Sequence, residues 1–243
     1  MEVIEDCRIS YVKSRMPMIA TPVARNPSWK YTFALVNTVA LFKDLGMAYG
    51  IQFVVGSSNI PKARNELVAR FLASPCTDMI FIDDDMEWNE QSVIRLLASP
   101  QLVTAGDYRK KVDKPNSDPD VWCGVAKVGP ENAIFQDDMN FVQYLRVGTG
   151  FLKINRAVFE RLIEAHPDRK APGPKEAAQE VRDNYHRFFR FGDDENETGE
   201  DYFFCDSWTD IGGEIWVDPE MVLGHVGEKV FRGTASELMQ VAQ

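Results

Sequence analysis

The first half of this 243-residue chain alternates short apolar runs with segments whose apolar residues recur at helical spacing. In one such segment, Leu67, Val68, Phe71 and Leu72 fall on a single helical face. The pattern predicts strands at Met16–Ala20, Ile51–Val55, Met79–Ile82 and Leu102–Ala105, with helices at Trp29–Leu45, Ala63–Ala73 and Glu90–Ala98. Because strands separated by helices of this length pair in parallel, we expect a parallel α/β sheet through residue 106.

The second half is less regular, and one long stretch of it is polar. Between His166 and Gly199 the chain contains Pro167, Pro172 and Pro174 and an acidic run at 193–197. We expect a mobile surface segment there that borders the acceptor site. The remaining pattern predicts strands at Val121–Lys127, Gln143–Val147, Phe151–Ile154, Glu214–Val217 and Met221–Leu223, and helices at Ala157–Ala165 and Glu200–Ile211.

Composition narrows the class of protein. Hydrophobic residues make up 44% and charged residues 26%, which is typical of a globular domain. A net charge of −10 argues against binding to duplex nucleic acid. No signal peptide or run long enough to span a membrane is apparent, and the four cysteines lack Cys-x-x-Cys spacing. These features favour a single cytoplasmic domain over residues 1–243 with free thiols.

Three consecutive aspartates, Asp83, Asp84 and Asp85, directly follow the apolar run that ends at Ile82. Ligands of open α/β sheets bind beyond the carboxyl ends of such strands. Unit charges about 4 Å apart repel by roughly 4 kcal/mol at an effective dielectric near 20. A divalent cation compensates this repulsion, and oxygen ligands suit Mg²⁺ or Mn²⁺. The alternative is that the aspartates cap the next helix, for which one carboxylate suffices.

Six short motifs occur in an order that resembles the GT-A fold glycosyltransferases, the family 2-like enzymes that use nucleotide sugars. The motifs are Ile19-Ala20-Thr21-Pro22, Ala63-Arg64-Asn65-Glu66, Phe81-Ile82-Asp83-Asp84-Asp85, Gly148-Thr149-Gly150-Phe151, Gly199-Glu200-Asp201-Tyr202-Phe203-Phe204-Cys205 and Leu223-Gly224-His225-Val226-Gly227. The resemblance implies a Rossmann-like α/β fold with a mostly parallel central sheet flanked by helices. It also implies a nucleotide-binding half at about 16–106 and an acceptor-binding half at about 107–231.

The same resemblance implies roles for the aspartate run and for a late histidine. Asp85 would bind Mn²⁺ or Mg²⁺ directly, and Asp83 would share the metal or contact the ribose. Asp84 would contact the nucleotide or the sugar. His225 would complete the metal site, since imidazole is acceptable to Mn²⁺; the alternative is a histidine hydrogen-bonded at a strand end. His166 and His186 lie in polar sequence and are expected to be solvated.

Further residues are assigned to the two substrates by resemblance. Thr21 and Pro22 would line the base pocket, and Arg64 and Asn65 would contact the nucleotide, since helix N-termini and arginine both favour phosphate. The donor would be a nucleoside-diphosphate sugar, with UDP or GDP expected as the carrier.

The acceptor would be a carbohydrate or another hydroxyl compound. One of Glu200 and Asp201, with Asp201 the closer match, would deprotonate the acceptor hydroxyl and invert the anomeric centre; the alternative is that these carboxylates cap the helix. Trp208 shares a helical face with Asp201 and would form an apolar platform for an acceptor sugar; the alternative is a core tryptophan.

Other readings stay open on the sequence alone. A retaining transferase is one, because a metal-binding histidine also occurs in retaining relatives. A nucleotidyltransferase would carry a glycine-rich loop after the first strand, and the segment from Thr21 to Pro27 contains no glycine. A metal-dependent phosphohydrolase leaves Gly148-Thr149-Gly150 and the Gly-Glu-Asp helix without a role. The last alternative is a non-catalytic module that binds nucleotide sugars.

Overall fold

The computed structural model describes residues 6–127, 139–192 and 198–239, and in these residues the chain is organised around an eight-stranded sheet. From one edge to the other, the strands are β2 (Gly50–Val55), β1 (Pro17–Val23), β3 (Asp78–Ile82), β8 (Phe151–Asn155), β5 (Val103–Gly106), β9 (Ile215–Asp218), β7 (Val142–Arg146) and β6 (Val125–Ala126). Strands β1 to β3, β5, β6 and β9 run in one direction, whereas β7 and β8 run in the other. The sheet is therefore mixed in its pairing and mostly parallel in strand direction. The predicted α/β fold class is confirmed.

The elements of the first half follow the predicted alternation. Strands are β1 (Pro17–Val23), β2 (Gly50–Val55), β3 (Asp78–Ile82), β4 (Met86–Glu87) and β5 (Val103–Gly106). Helices are α1 (Asp6–Lys13), α2 (Trp29–Asp44), α3 (Ile60–Leu72) and α4 (Glu90–Ala98). Helices α2, α3 and α4 each begin where a Ser or Asn side chain caps the first turn. The side chain of Ser28 accepts from the Tyr31 amide, that of Asn59 from the Lys62 amide, and that of Asn89 from the Gln91 amide.

The second half adds antiparallel strands and a separate small sheet. Strands are β6 (Val125–Ala126), β7 (Val142–Arg146), β8 (Phe151–Asn155), β9 (Ile215–Asp218), β10 (Leu223–Val226) and β11 (Val230–Gly233). Helices are α5 (Arg156–Ala165), α6 (Gln179–Asp183), α7 (Glu200–Asp210) and α8 (Ser236–Met239), with short 3-10 helices at Pro119–Val121 and Pro167–Arg169. Strands β11, β10 and β4 form the small sheet.

Helices cover both faces of the main sheet, and β3 shows why its sequence is uniformly apolar. All five of its residues are buried. Met79 and Phe81 contribute to the core on the side of α3, α5 and α7, while Ile80 and Ile82 contribute to the core beneath α2 and α4. A strand covered on both faces needs apolar residues at successive positions.

The structure corrects three sequence-based expectations about the fold. Strand β8 lies between β3 and β5 and pairs antiparallel with both, so the first-half strands do not form an uninterrupted parallel sheet. Only Val125–Ala126 of the strand predicted at Val121–Lys127 forms. The third expectation is a mobile surface segment at 167–192. Much of that segment is exposed, but four of the five side chains at 185–189 are buried against the domain.

Aromatic residues explain the packing of that segment. Phe188 and Phe189 are fully buried, and the Phe189 ring stacks on Phe204 with a centroid distance of 4.9 Å. The side chain of Asn65 accepts from the Phe189 amide at 2.9 Å and donates to the Phe189 carbonyl at 2.8 Å. His186, which was expected to be solvated, is buried as well. The acidic run at 193–197 lies outside the described residues.

Candidate functional site

A cleft of about 430 Å³ opens at the carboxyl ends of the parallel strands β1, β2 and β3. This is where open α/β sheets bind ligands. The start of α3, the chain after β5 and strand β10 complete its walls. The lining residues are Pro22, Val23, Ala24, Val54, Ser57, Ser58, Ile60, Ala63, Arg64, Asp83, Asp84, Asp85, Tyr108, Cys123 and His225.

Asp83 is paired with a buried arginine. Nη1 of Arg64 lies 3.0 Å from Oδ1 of Asp83, and Nη2 donates to Oδ2 at 3.3 Å. Nε of the same guanidinium lies 3.3 Å from Oε1 of Glu200. Burial acts to lower the pKa of Arg64, but Asp83 and Glu200 outweigh it and hold that pKa above its usual range. Arg64 thus joins the aspartate run to the first turn of α7.

Asp84 is held at the opposite wall of the cleft by backbone contacts. Its Oδ2 accepts from the Ala24 amide at 3.2 Å, and its carbonyl accepts from the Ser28 amide at 2.8 Å. Burial raises the pKa of Asp84, and the neighbouring Asp85 and Asp83 raise it further against the hydrogen bond from Ala24. Asp84 therefore holds the loop between β1 and α2 against the edge of the cleft.

Asp85 meets two basic side chains at one oxygen. Its Oδ2 lies 2.5 Å from Nζ of Lys111 and 3.5 Å from Nε2 of His225. Burial acts to raise the pKa of Asp85, but hydrogen bonds and charge from His225 and Lys111 lower it below its usual value. Asp85 is therefore an anion in the neutral pH range.

His225 presents one ring nitrogen to Asp85 because its other nitrogen is occupied. Nδ1 lies 2.7 Å from the Arg109 carbonyl, and since a carbonyl only accepts, Nδ1 carries the proton. Tyr108 packs edge-on against the ring, with centroids 5.2 Å apart. Metal-ligating histidines typically have this arrangement, in which a backbone carbonyl holds the proton on Nδ1. Nε2 donates to Asp85 when it also carries a proton, and offers a lone pair when it does not. The residue lies inside β10 rather than at the end of an earlier strand.

The expected metal ligands fit a divalent cation in part. Asp85 and His225 are close enough to share an ion if Lys111, which contacts the same oxygen of Asp85, moves aside. Mg²⁺ needs only one or two protein ligands when substrate phosphates and water supply the rest. Asp83 is turned to Arg64 instead. Across 6–127, 139–192 and 198–239, no group of three or more His, Cys, Asp or Glu side chains forms a ready-made ligand cluster. The three-residue set of Asp83, Asp85 and His225 is therefore not assembled.

Asp201 lies in the first turn of α7, next to the Glu200 that contacts Arg64. Its Oδ1 accepts from the Tyr202 amide at 2.8 Å. Burial raises the pKa of Asp201 to about 6, and the neighbouring charge of Glu200 adds to the effect. A carboxylate with a pKa near neutrality is suited to accept a proton at physiological pH.

Three residues assigned to substrates from the sequence lie away from the cleft surface. Thr21 is fully buried, and its hydroxyl is 2.6 Å from that of Tyr31. Asn65 is buried and engaged with the Phe189 backbone, so it has a structural role. Trp208 is 1% exposed and its Nε1 donates to the Glu214 carbonyl at 3.0 Å, so it is a core residue and not a platform for a sugar.

A further group of residues follows β5, where the sequence carries the basic run Tyr108-Arg109-Lys110-Lys111; of this group the sequence reasoning missed Asp107 and Cys123. Tyr108 and Cys123 line the cleft, and Lys111 binds Asp85. Asp107 is 3% exposed, accepts from the amides of Tyr108 and Gly124, and has its pKa raised to about 7 by burial. Its position directly after an apolar strand, like that of Asp83, is the sequence signal that could have found it.

Comparisons with known proteins add little to this site. The chain matches no protein-family model and no curated protein. A crystal structure of S. aureus TarS 1-349 is similar over 93% of this chain, with 11% sequence identity and a TM-score of 0.39. The chain covers 62% of that structure's length. A likeness of this size carries no argument about function.

The described residues also bear on membrane insertion. Within 6–127, 139–192 and 198–239, no helix has the length and apolar character needed to cross a bilayer.

Proposed function

We propose that this protein is a glycosyltransferase that takes a sugar from a nucleoside-diphosphate donor, with UDP or GDP as the carrier and Mn²⁺ or Mg²⁺ as cofactor. The observation that supports it is the cleft at the strand ends, in which an anionic Asp85 faces Nε2 of His225 at 3.5 Å. This pair of possible ligands is accompanied by a buried carboxylate, Asp201, at the start of α7.

Asp85 and His225 would hold the cation, and donor phosphates and water would complete its shell. When bound, the cation would neutralise the charge that develops on the leaving diphosphate. Lys111 supplies a positive charge at the same oxygen of Asp85. Pro22, Val54 and Ser57 offer the apolar and hydroxyl surface that a nucleoside needs.

Arg64 acts on the protein rather than on the phosphates. Its side chain is 4% exposed and is already engaged by Asp83 and Glu200. We assign it to positioning: it fixes the Asp83 carboxylate and the start of α7 relative to each other. Glu200 is engaged in this ion pair, and we assign Asp201 as the carboxylate that accepts a proton.

Asp201 would remove the proton from the acceptor hydroxyl while the acceptor oxygen bonds to the anomeric carbon and the bond to the diphosphate breaks. Direct displacement inverts the anomeric centre. Retention would instead require a different arrangement of the acceptor, and the anomeric proton of the product in NMR distinguishes the two. The expected cytoplasmic location stays a prediction.

Isothermal titration calorimetry of UDP and GDP in Mn²⁺, Mg²⁺ or EDTA tests the proposal. At least one nucleotide should bind with the metals and lose about tenfold or more in affinity with EDTA. Asp85→Asn should remove this metal dependence. Glu87→Gln is the matched control, because Glu87 lies two residues away and pairs with Lys30 and Arg232 outside the cleft. Equal affinity in EDTA, or no binding under any condition, contradicts the proposal.

A further inference from the structure

A second cleft, also of about 430 Å³, lies between the first half of α2 and the small sheet. Its lining residues are Trp29, Lys30, Phe33, Ala34, Asn37, Glu87, Trp88, Asn89, Glu90, Val222, Gly224 and Arg232. None of them takes part in the site described above.

Two aromatic rings in this cleft are left to solvent. Trp29 is 70% exposed and Phe33 is 63% exposed. They lie four residues apart on α2 and therefore on the same helix face, one turn from each other. Val222 on the facing segment is 55% exposed. Exposed large apolar side chains that adjoin one another mark interaction sites.

The charges of the residues that line this cleft sum to zero. Lys30 lies 2.7 Å from Glu87, and Arg232 contacts the same carboxylate. Glu90 brings the lining to two positive and two negative side chains. The Lys30 ammonium also lies 4.5 Å from the centroid of the Trp29 ring, so it is held over the indole. A site with no net charge, aromatic faces and polar groups suits a neutral ligand with many hydroxyls.

The cleft adjoins the first site through the small sheet. Met86 pairs with His225 and Glu87 pairs with Gly224 in the β4–β10 ladder. Asp85, which faces the first cleft, thus lies two residues from Glu87, which faces the second. A ligand long enough to extend along β4 and β10 would reach from one cleft to the other.

We propose that this second cleft binds neutral carbohydrate, with Trp29 and Phe33 as stacking platforms and Glu87 and Arg232 as hydrogen-bonding groups. Its role as a site for a distal part of the acceptor rests on the proposed function; carbohydrate binding itself does not. A net charge of −10 disfavours docking to anionic membranes, and the mixed polar lining distinguishes the cleft from a purely apolar contact face.

Native affinity electrophoresis in gels containing dextran, glycogen or hydroxyethyl cellulose tests this inference without nucleotide or metal. At least one of these neutral polysaccharides should retard the wild-type protein. Trp29→Ala and Phe33→Ala should each weaken the apparent affinity by about tenfold. Phe191→Ala is the matched control, since Phe191 is 54% exposed and lines neither cleft.

The possible results separate this inference from the proposed function. Retardation that depends on Trp29 but not on Phe191 supports the carbohydrate site even if neither nucleotide binds in calorimetry. No retardation by any of the three polysaccharides, or equal loss in the Phe191 control, overturns it. Sedimentation velocity tests whether a second copy of the chain occupies this cleft instead. Concentration-dependent dimerisation that Trp29→Ala abolishes would assign the cleft to a dimer interface and would overturn the carbohydrate proposal.

Discussion

The guanidinium of Arg64 and the carboxylate of Asp83 meet through two contacts, Nη1 to Oδ1 at 3.0 Å and Nη2 to Oδ2 at 3.3 Å. The first aspartate of the acidic run is thereby engaged by a protein side chain. Arg64 also contacts Glu200, which lies 136 residues along the chain. One buried guanidinium therefore fixes the aspartate run and the first turn of α7 relative to each other.

Replacement of Arg64 should strongly destabilise the fold. Arg64→Met leaves Asp83 and Glu200 without their buried counter-charge, and loss of one partner in such a group typically costs about 3–5 kcal/mol. We expect a fall of about 3 kcal/mol in the free energy of unfolding, measured by urea denaturation. Arg70→Met, on the same helix, removes an i,i+4 pair with Glu66 and should cost less than about 1 kcal/mol. A similar loss of unfolding free energy in the two variants would show that the Arg64 contacts stabilise the fold no more than a surface ion pair does.

His225 should determine the affinity for Mn²⁺. His225→Ala removes Nε2, the ring nitrogen of His225 that faces Asp85. We therefore expect Mn²⁺ affinity in the presence of nucleotide to fall about tenfold or more. Electron paramagnetic resonance of free Mn²⁺ measures the effect. His166→Ala is the control, because His166 follows α5 and does not line the cleft. Unchanged Mn²⁺ binding in His225→Ala would make His225 a structural residue that only holds the Arg109 carbonyl.

Asp201 should control the rate of transfer and its pH dependence. A base with a pKa of about 6 must be ionised to act, so kcat/KM should fall about tenfold per pH unit below 6 and level off above it. Asp201→Asn should reduce kcat about a hundredfold or more and leave donor affinity nearly unchanged.

Asp206→Asn serves as the control for that substitution, since Asp206 lies on the same helix and pairs with Arg146 at the surface. An Asp201→Asn enzyme with a near-normal rate would assign Asp201 to the first turn of α7 as a helix-stabilising residue instead.

Asp107 should make stability depend on pH. The pKa of Asp107 in the folded state, about 7, lies above its ordinary value of 3.8. The folded state therefore binds more protons than the unfolded state between these values, and stability falls as pH rises through that window. Asp107→Asn keeps an oxygen that can accept from the amides of Tyr108 and Gly124 but carries no charge. Relative to wild type, this variant should gain about 3 kcal/mol between pH 5 and pH 8.

Urea denaturation at the two pH values measures that gain. Asp120→Asn, with a side chain 82% exposed, is the control for the loss of a carboxylate. A stability difference between wild type and Asp107→Asn that is the same at pH 5 and pH 8 would contradict the raised pKa.

The sequence by itself determined most elements of the first half and the place of the acidic run. The apolar run that ends at Ile82 predicted a buried strand, and helix α4 matches its predicted bounds. These are local properties, since residue periodicity and caps act over a few residues. The prediction that ligand-binding groups follow the strand ends rests on the same local reasoning, and the cleft lies at those ends.

Only the tertiary structure decided which of the candidate groups meet. Trp208, Thr21 and Asn65 have the residue types of a binding site, yet packing buries them. Arg64 reaches Asp83 and Glu200, and His225 reaches Asp85, across long separations in the chain. Phe188 and Phe189 likewise anchor a segment whose composition is mostly polar. Such contacts depend on how sheets and helices pack together and on the orientation of each side chain, neither of which local periodicity encodes.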